Sequence, residues 1–327
     1  MTTIKENQSE FDKSGITRWR ELIKDINKIV TIVVLDDAEP PREFDRIELP
    51  IANHKKTTKG HKKQVCGVIR QCTDDNARIV AFNWFGGREQ ATQWIIANSK
   101  DIDIINCSFS SPRSDDLDFV RDLKIPIICS SGNNGDKGKD GVSFPAYYDW
   151  TIAIGAIEER YNRVTDYSNG GALLDAVAYT DIYIPLVENA SKYEDIILFN
   201  GTSCAAPVAT SMLYYYIKWR KNIGLPKLTS EEARKFIHKC AYDILEEGKD
   251  YSSGYGIFKL GAEPMQIKLK INSNVMEINN EAKIIDTCPI IDSNNRTLVP
   301  IRAISEALGC EVVWDGDKQE ITIVKQD

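Results

Sequence analysis

From Ile29 to about Ala156 the chain alternates short, continuously apolar runs with amphipathic stretches, and few folds accept that alternation. VTIVVLDD is a β-branched run ending in acids, and GHKKQVCGVIRQC carries Val65, Val68 and Ile69 at helical spacing. ARIVAFNW reads as a strand, REQATQWIIANS as a helix, IDIINCSFS as a strand and DLDFVRDL as a helix. IPIICSSG, ending in GNNG, and WTIAIGAI are further strands. Strands apolar at every position, alternating with helices, form a mostly parallel sheet covered on both faces. The expected fold class is α/β. In such sheets ligands sit beyond the carboxyl ends of the strands, which directs attention to Asp36, Ser108 and Asn133.

Composition narrows the function classes. Among 327 residues, 41 Lys and Arg against 48 Asp and Glu leave a net charge of −7. That balance argues against nucleic acid as a partner, since phosphate contacts need concentrated basic side chains. No apolar run reaches the roughly 18 residues of a membrane span. Residues 1–28 are polar and lack the basic start and apolar segment of a signal peptide. They read as an unstructured start followed by an amphipathic helix from about Ile16, with Trp19, Leu22, Ile23 and Ile26 on one face. A frayed terminus with a docking helix is the expectation, and an inhibitory leader across the cleft is the alternative. The eight cysteines contain no CxxC pair, and most sit in apolar runs, as buried free thiols of a reducing, cytoplasmic compartment do.

A second unit starts near Met265. IKLKI, VMEI, CEVVW and ITIVK are short strands punctuated by Asn-rich and Asp-Gly turns, with one helix from Ile301 to about Leu308. The expected organisation is an N-terminal extension (1–28), a main domain (29–263) and a small α+β module (265–327), joined near Glu263-Pro264.

The motif richest in chemistry is NGTSCAAPVA, residues 200–209. Small side chains let a helix bury its start close against a sheet. Ser203 then stands where backbone N–H groups and the helix dipole favour developing negative charge. A capping serine on a buried helix is the plain alternative. A serine nucleophile needs a base, and the base needs an orienting acid. The chain has three histidines, His54, His61 and His238. His61 stands at a predicted helix start and Asp36 at a strand end, so Asp36, His61 and Ser203 can converge above one sheet. His54 and His238 have no metal-ligand spacing, and His238 reads as a surface or packed-edge residue. Cys204 reads as a helix-packing residue. Asp74-Asp75 and Asp115-Asp116 are candidate calcium carboxylates without EF-hand spacing, and read as solvated loops. No metal site and no required cofactor are expected.

The order Asp, His, Ser and its surroundings resemble the subtilisin-like serine proteases over roughly Val30 to Glu263. VTIVVLDDA resembles the strand ending in the catalytic Asp (Asp36), and GHKKQVCGVI the helix carrying the catalytic His (His61). NGTSCAAPVA is nearly the family's Gly-Thr-Ser-x-Ala-x-Pro signature, with Ser203 as nucleophile. IICSSGNNG resembles the strand end whose Asn side chain completes the oxyanion hole (Asn133), and INCSFSS the cleft strand (Ser108, Phe109 and Ser110). SFPAYYDWTIAIGAI and SGYGIFKLGA are similar to two later family segments. The resemblance implies a subtilisin-like sheet with helices on both faces and a serine endopeptidase acting through an acyl-enzyme on protein or peptide substrates. It places Ser130, Ser131, Gly132 and Ser143 around the P1 pocket, where the absence of an obvious acid argues against a preference for Arg or Lys.

The chain departs from the family at Lys62-Lys63-Gln64, at Asp37-Ala38 and at Ser110, where the cleft strand usually has Gly. A catalytically impaired relative that binds peptides, or a surface adaptor, is the alternative function. The C-terminal module resembles the copper amine oxidase N-terminal-like (stalk) domain through NRTLVPIR (Asn295–Arg302), EALG (Glu306–Gly309) and VVWD (Val312–Asp315). That resemblance implies an accessory role with a cell-surface or self-association partner, and a released or surface location as the alternative to the cytoplasm. It implies no copper here, since no His follows His238.

Overall fold

The computed structural model of the chain describes residues 4–37, 47–48, 60–110, 117–185, 196–262, 265–279 and 281–325. His54, Asp115, Asp116 and the Glu263-Pro264 joint lie outside the described residues. The chain divides into two compact units, Met1–Gly261 and Ala262–Asp327.

The first unit opens with a 3-10 turn (Lys5–Asn7) and two short helices, α1 (Gln8–Ser14) and α2 (Ile16–Leu22). The sheet follows: β1 (Val30–Asp36), β2 (Ile47–Glu48), then α3 (His61–Cys72), β3 (Ala77–Asn83), α4 (Trp84–Ala97), β4 (Ile104–Cys107), α5 (Asp118–Leu123) and β5 (Ile127–Ser130). Next come β6 (Ile152–Glu158), β7 (Arg163–Val164), β8 (Leu174–Tyr179), and the β9–β10 hairpin (Ile182–Pro185 and Ile196–Phe199). The unit ends with α6 (Thr202–Asn222), α7 (Ser230–Cys240), β11 (Ala241–Tyr242) and β12 (Ile257–Phe258).

The strand order is β11-β12-β8-β6-β5-β4-β1-β3-β2, with β7 beside β6. Every pairing from β2 through β12 along this order is parallel, and only β11 and β7 run antiparallel to their neighbours. Side chains alternate across a strand, so β1 feeds two cores. Val30, Ile32 and Val34 join a layer with α2, α3 and α6, while Val33 and Leu35 join one with α4 and α5. Burial on both faces explains why the strands read as unbroken apolar runs.

Two boundaries moved. Trp84 begins α4 rather than ending β3, because the Asn83 side chain caps the helix by accepting from the Gly86 N–H at 3.0 Å. The polar start is structured from Lys5 onward. Phe11, Ile16, Trp19 and Ile23 are buried in the α3/α6 layer, whereas Leu22, expected on the same face, is exposed. Asn7 is buried by hydrogen bonding instead. Its Nδ2 donates to the Tyr183 carbonyl at 2.8 Å and its Oδ1 accepts the Tyr183 N–H at 2.7 Å.

The second unit holds a three-stranded antiparallel sheet, β13 (Ile267–Leu269), β14 (Val275–Ile278) and β15 (Glu281–Ile284). Two separate hairpins follow, β16 (Ile290–Ile291) with β17 (Thr297–Leu298), and β18 (Cys310–Asp315) with β19 (Glu320–Lys325). Helix α8 (Ile301–Ala307) precedes the last hairpin. Among its described residues only Met276, Ile285 and Val312 are buried hydrophobics.

The N-terminal helices close the first unit. The Trp19 indole donates to the Gly261 carbonyl at 2.8 Å, and the Leu260 N–H donates to the Ser14 carbonyl at 2.7 Å. Trp19→Ala is therefore expected to destabilise the unit by about 3–5 kcal/mol through a buried cavity and a lost hydrogen bond. Urea unfolding of the full chain measures this, and a loss under about 0.5 kcal/mol, the range of neutral surface changes, would mean the segment is not docked.

Candidate active site

Three chain segments bring acid, imidazole and hydroxyl to the carboxyl end of the sheet. Asp36 ends β1 and is 1% exposed. Its Oδ1 accepts the Asp37 N–H at 2.7 Å and lies 2.8 Å from His61 Nδ1. His61 is the first residue of α3, and its ring is half-buried against the edge of Phe199, centroid to centroid 5.6 Å. A carboxylate at Nδ1 keeps the proton of the neutral imidazole on that atom, so Nε2 is left as the acceptor.

Charge and burial act in opposite directions here. Burial pushes the Asp36 carboxyl above its usual range, and the His61 contact only partly offsets that. For His61, burial pulls the pKa down, but the hydrogen bond to Asp36 and the charges of Asp36 and Asp37 outweigh it, leaving the imidazole above its ordinary value.

Ser203 is the second residue of α6, reached through Gly201 at φ 92°, a conformation that favours glycine. Thr202, Cys204, Ala205 and Ala206 are fully buried, so the helix start lies against β5 and β6 as the small residues predicted. Pro207 lies inside the helix, where its missing N–H leaves the Ser203 carbonyl without its i+4 donor. The Ser203 hydroxyl donates to the Ser108 carbonyl at 2.9 Å, and no hydrogen bond joins it to His61 among the described residues. Catalytic hydrogen bonds are often loose without substrate, and rotation about one side-chain bond redirects a hydroxyl. Asn133 Oδ1 accepts both the Thr202 N–H and the Thr202 hydroxyl, each at 2.9 Å. Both donors fix the amide so that its Nδ2 is left to donate outward.

The remaining predicted residues divide by what their side chains do. Ser108 turns its hydroxyl inward to accept from Asn106 Nδ2, leaving its backbone toward Ser203. Phe109 packs edge-on against Phe85, and Ser110 is exposed. Ser130 is buried in β5, and Ser131 donates to the Asn169 carbonyl at 2.8 Å. Ser143 accepts from Asn169 Nδ2 at 3.2 Å, and the Ser143 N–H binds the Ser131 carbonyl at 2.8 Å. Asn169 itself was missed. It is 1% exposed and stitches these loops together, its Oδ1 accepting from the Asn134 and Asp136 N–H groups. Thr202 was missed as an orienting residue although it stands inside the serine motif.

Other candidates settle into structural roles. Burial pushes the Cys204 thiol up to about 12, which silences it as a nucleophile. His238 Nε2 meets Asp175 Oδ1 at 2.7 Å and its ring stacks on Tyr255, pinning α7 to the sheet. Asp74 is not a solvated loop residue: it accepts from Lys218 Nζ at 2.6 Å, the Tyr214 hydroxyl and the Asn76 N–H. Asp36, Asp37 and His61 bring ligand atoms within 4.8 Å of one another, the one such group of three among the described residues. Of these, His61 Nδ1 already faces Asp36.

The raised His61 pKa has a checkable sign. Its NMR titration should fall above the ordinary value of about 6.5, and Asp36→Asn should lower it. The linked stability is present below that ordinary value and lost as pH rises through the folded midpoint. A midpoint unmoved by Asp36→Asn would show that the pair does not couple.

Residues 73–256 match the Subtilase family and residues 257–323 the copper amine oxidase N-terminal domain. The first match contains Asn133 and Ser203, while Asp36 and His61 precede it. Subtilisin DY of Bacillus licheniformis is 27% identical over 177 residues, covering 52% of this chain and 59% of its own. The major intracellular serine protease of Bacillus subtilis is 27% identical over 197 residues, covering 53% and 60%. The chain thus spans about three-fifths of the length of these curated relatives. Among solved structures, a lanthipeptide protease superposes with a TM-score of 0.62 at 16% identity, covering 78% of this chain and 94% of that one. A cold-adapted subtilisin-like serine proteinase gives 0.57 at 16%, covering 73% and 91%. Both likenesses are of fold.

Proposed function

The chain belongs to the Subtilase family, and from that premise we propose that it is a serine endopeptidase in which Ser203, His61 and Asp36 act as nucleophile, base and orienting acid. The observation that carries this reading is the 2.8 Å contact between Asp36 Oδ1 and His61 Nδ1 at the end of β1. It fixes the tautomer a serine nucleophile requires.

The hydroxyl of Ser203 leaves the Ser108 carbonyl and gives its proton to His61 Nε2 as its oxygen attacks the scissile carbonyl. Asp36 stabilises the resulting imidazolium. The oxyanion is held by Asn133 Nδ2 and the Ser203 backbone N–H, whose place in the first helical turn leaves it without an intrahelical acceptor. Collapse returns the proton to the leaving amine and forms the acyl-enzyme, which water then hydrolyses by the same groups. Substrate backbone pairs with Ser108–Ser110 as an added strand. Each step is carried by a side chain or backbone N–H of this chain, and none calls for a cofactor.

A cytoplasmic location is the companion proposal. Cys66, Cys72, Cys107, Cys129 and Cys204 are buried free thiols, which suit a reducing compartment, and one relative is named as intracellular. No helix of the described residues is long and apolar enough to cross a membrane. Residues 265–327 contribute none of the proposed catalytic groups, which supports an accessory binding role.

Ser203→Ala should abolish hydrolysis of denatured casein and labelling by a fluorophosphonate while leaving the circular dichroism unchanged. Wild-type hydrolysis by this variant overturns the assignment, and a wild-type chain that folds but neither labels nor cleaves supports the impaired-relative alternative. Asn133→Ala should lower kcat by about 10²–10³ with little change in KM, because the oxyanion exists only near the transition state. A loss confined to KM would make Asn133 a ground-state binding residue.

A further inference from the structure

Next along the chain from Asn133, Asn134 lines a cavity of about 380 Å³ whose walls include Asp136, Asp140, Ser143 and Asn169. The cavity is tied to the nucleophile by a short run of bonds. Thr202, which precedes Ser203, accepts at Oγ1 from the Gly132 N–H at 3.3 Å, and the Gly132 carbonyl accepts the Asn169 N–H at 2.9 Å. A Cβ on Gly132 would come within 2.5 Å of Asn169 Nδ2 and Ser143 Oγ. The strand end beside the oxyanion group is therefore pressed directly onto the cavity wall. Ser143 belongs both to this cavity and to the P1 site implied by the sequence resemblance, whereas Ser130 and Ser131 have their side chains buried in the wall behind.

The charge of the cavity is one-sided. Asp136 and Asp140 are the two charged residues that line it, and neither forms an ion pair among the described residues. Asp136 Oδ1 accepts the Gly138 N–H at 2.8 Å and Asp140 Oδ1 accepts the Tyr147 hydroxyl at 2.9 Å. These bonds orient the two carboxylates and leave one oxygen of each without a donor among the described residues. Of the two lysines beside the acids, Lys137 is engaged elsewhere, on the Ser168 carbonyl, and Lys139 is exposed and does not line the cavity. A carboxylate at a P1 site selects a cationic side chain, which gains charge-assisted hydrogen bonds that an uncharged residue cannot make.

We propose that the substrates of this chain carry arginine or lysine at P1, with Asp136 and Asp140 as the specificity-determining residues. This rests on the peptidase reading above and reverses the expectation from the sequence, where the serines and glycine masked two acids supplied by the loop that follows. Both acids are solvent-exposed, so each contributes a screened attraction rather than that of a buried charge.

The test is a series of chromogenic peptides differing only at P1 (Arg, Lys, Gln, Leu and Glu), assayed with the full chain at low salt beside fluorophosphonate labelling. Arg and Lys should exceed Gln in kcat/KM by about tenfold or more, Glu should fall below Gln, and about 0.5 M salt should narrow the spread. In the double variant Asp136→Asn/Asp140→Asn the Arg-to-Gln ratio should fall toward one, with each single variant falling part of the way if the double variant does not fold. Labelling and cleavage with Gln or Leu matching Arg, or a ratio unmoved in the variants, overturns this proposal alone. A chain that neither labels nor cleaves any peptide overturns the peptidase reading, and this proposal with it.

Discussion

The burial of the first two turns of α6 against the sheet is the constraint on which the site depends. A helix can bring its N-terminus that close only if its leading side chains are small, and Ser203, Cys204, Ala205 and Ala206, all buried, are small all round the helix. Once the helix is seated, Ser203 has no freedom of position, only of rotamer. Thr202 then acts as a two-way clamp. Its N–H and hydroxyl hold Asn133, and its Oγ1 receives Gly132. Ser203, Asn133 and the wall of the cavity are thus positioned by one packing event. Farther along, Thr210 donates to Asn106, which in turn donates to Ser108, so the same helix also sets the end of β4.

The acid–imidazole half is built by a different force. A carboxylate buried at the end of β1 is costly unless its oxygens find donors. Asp36 Oδ1 has two, while Oδ2 is buried without one among the described residues. The ion pair that forms when His61 gains a proton relieves that deficit electrostatically. Asp36 is therefore better suited to a charged His61 than to a neutral one, the preference that the base role proposed for His61 requires. Phe199 on the other side of the ring limits the directions in which the imidazole can swing.

What the sequence disclosed follows the kind of interaction involved. Strands β1, β3, β4, β5 and β6 were legible as apolar runs buried on both faces, and α3 through Val65, Val68 and Ile69 at helical spacing, whereas the parallel strands β2, β8 and β12 went unread. The small-residue start of α6 was legible because close approach demands small side chains. Residues that act through hydrogen bonds to distant backbone left no periodic trace. Asn169 sits in an SNGG stretch that reads only as a loop, and Asn7 lies in a polar segment whose burial depends on the backbone of β9. Asp74 looked like a loop acid because its partners, Tyr214 and Lys218, lie 140 and 144 residues away on α6. In the second unit β15 is exposed along its whole length, so the alternation of EAKI marks no buried face.

The placement of the N-terminal segment completes the account of His61. Asn7 grips β9 at Tyr183, β9 pairs with β10 through Ile182 and Phe199, and Phe199 meets the imidazole edge. Farther along, Arg20 reaches the Tyr215 hydroxyl at 3.2 Å. Tyr215 lies twelve residues beyond Ser203 on α6, about 18 Å along a helix axis. A leader lying across the cleft would have to contact the helix at its start. The described part of this segment engages the far part of α6, the end of the first unit and β9. Among the described residues its link to the imidazole is indirect: it restrains the strand that carries Phe199, and so narrows the orientations open to His61.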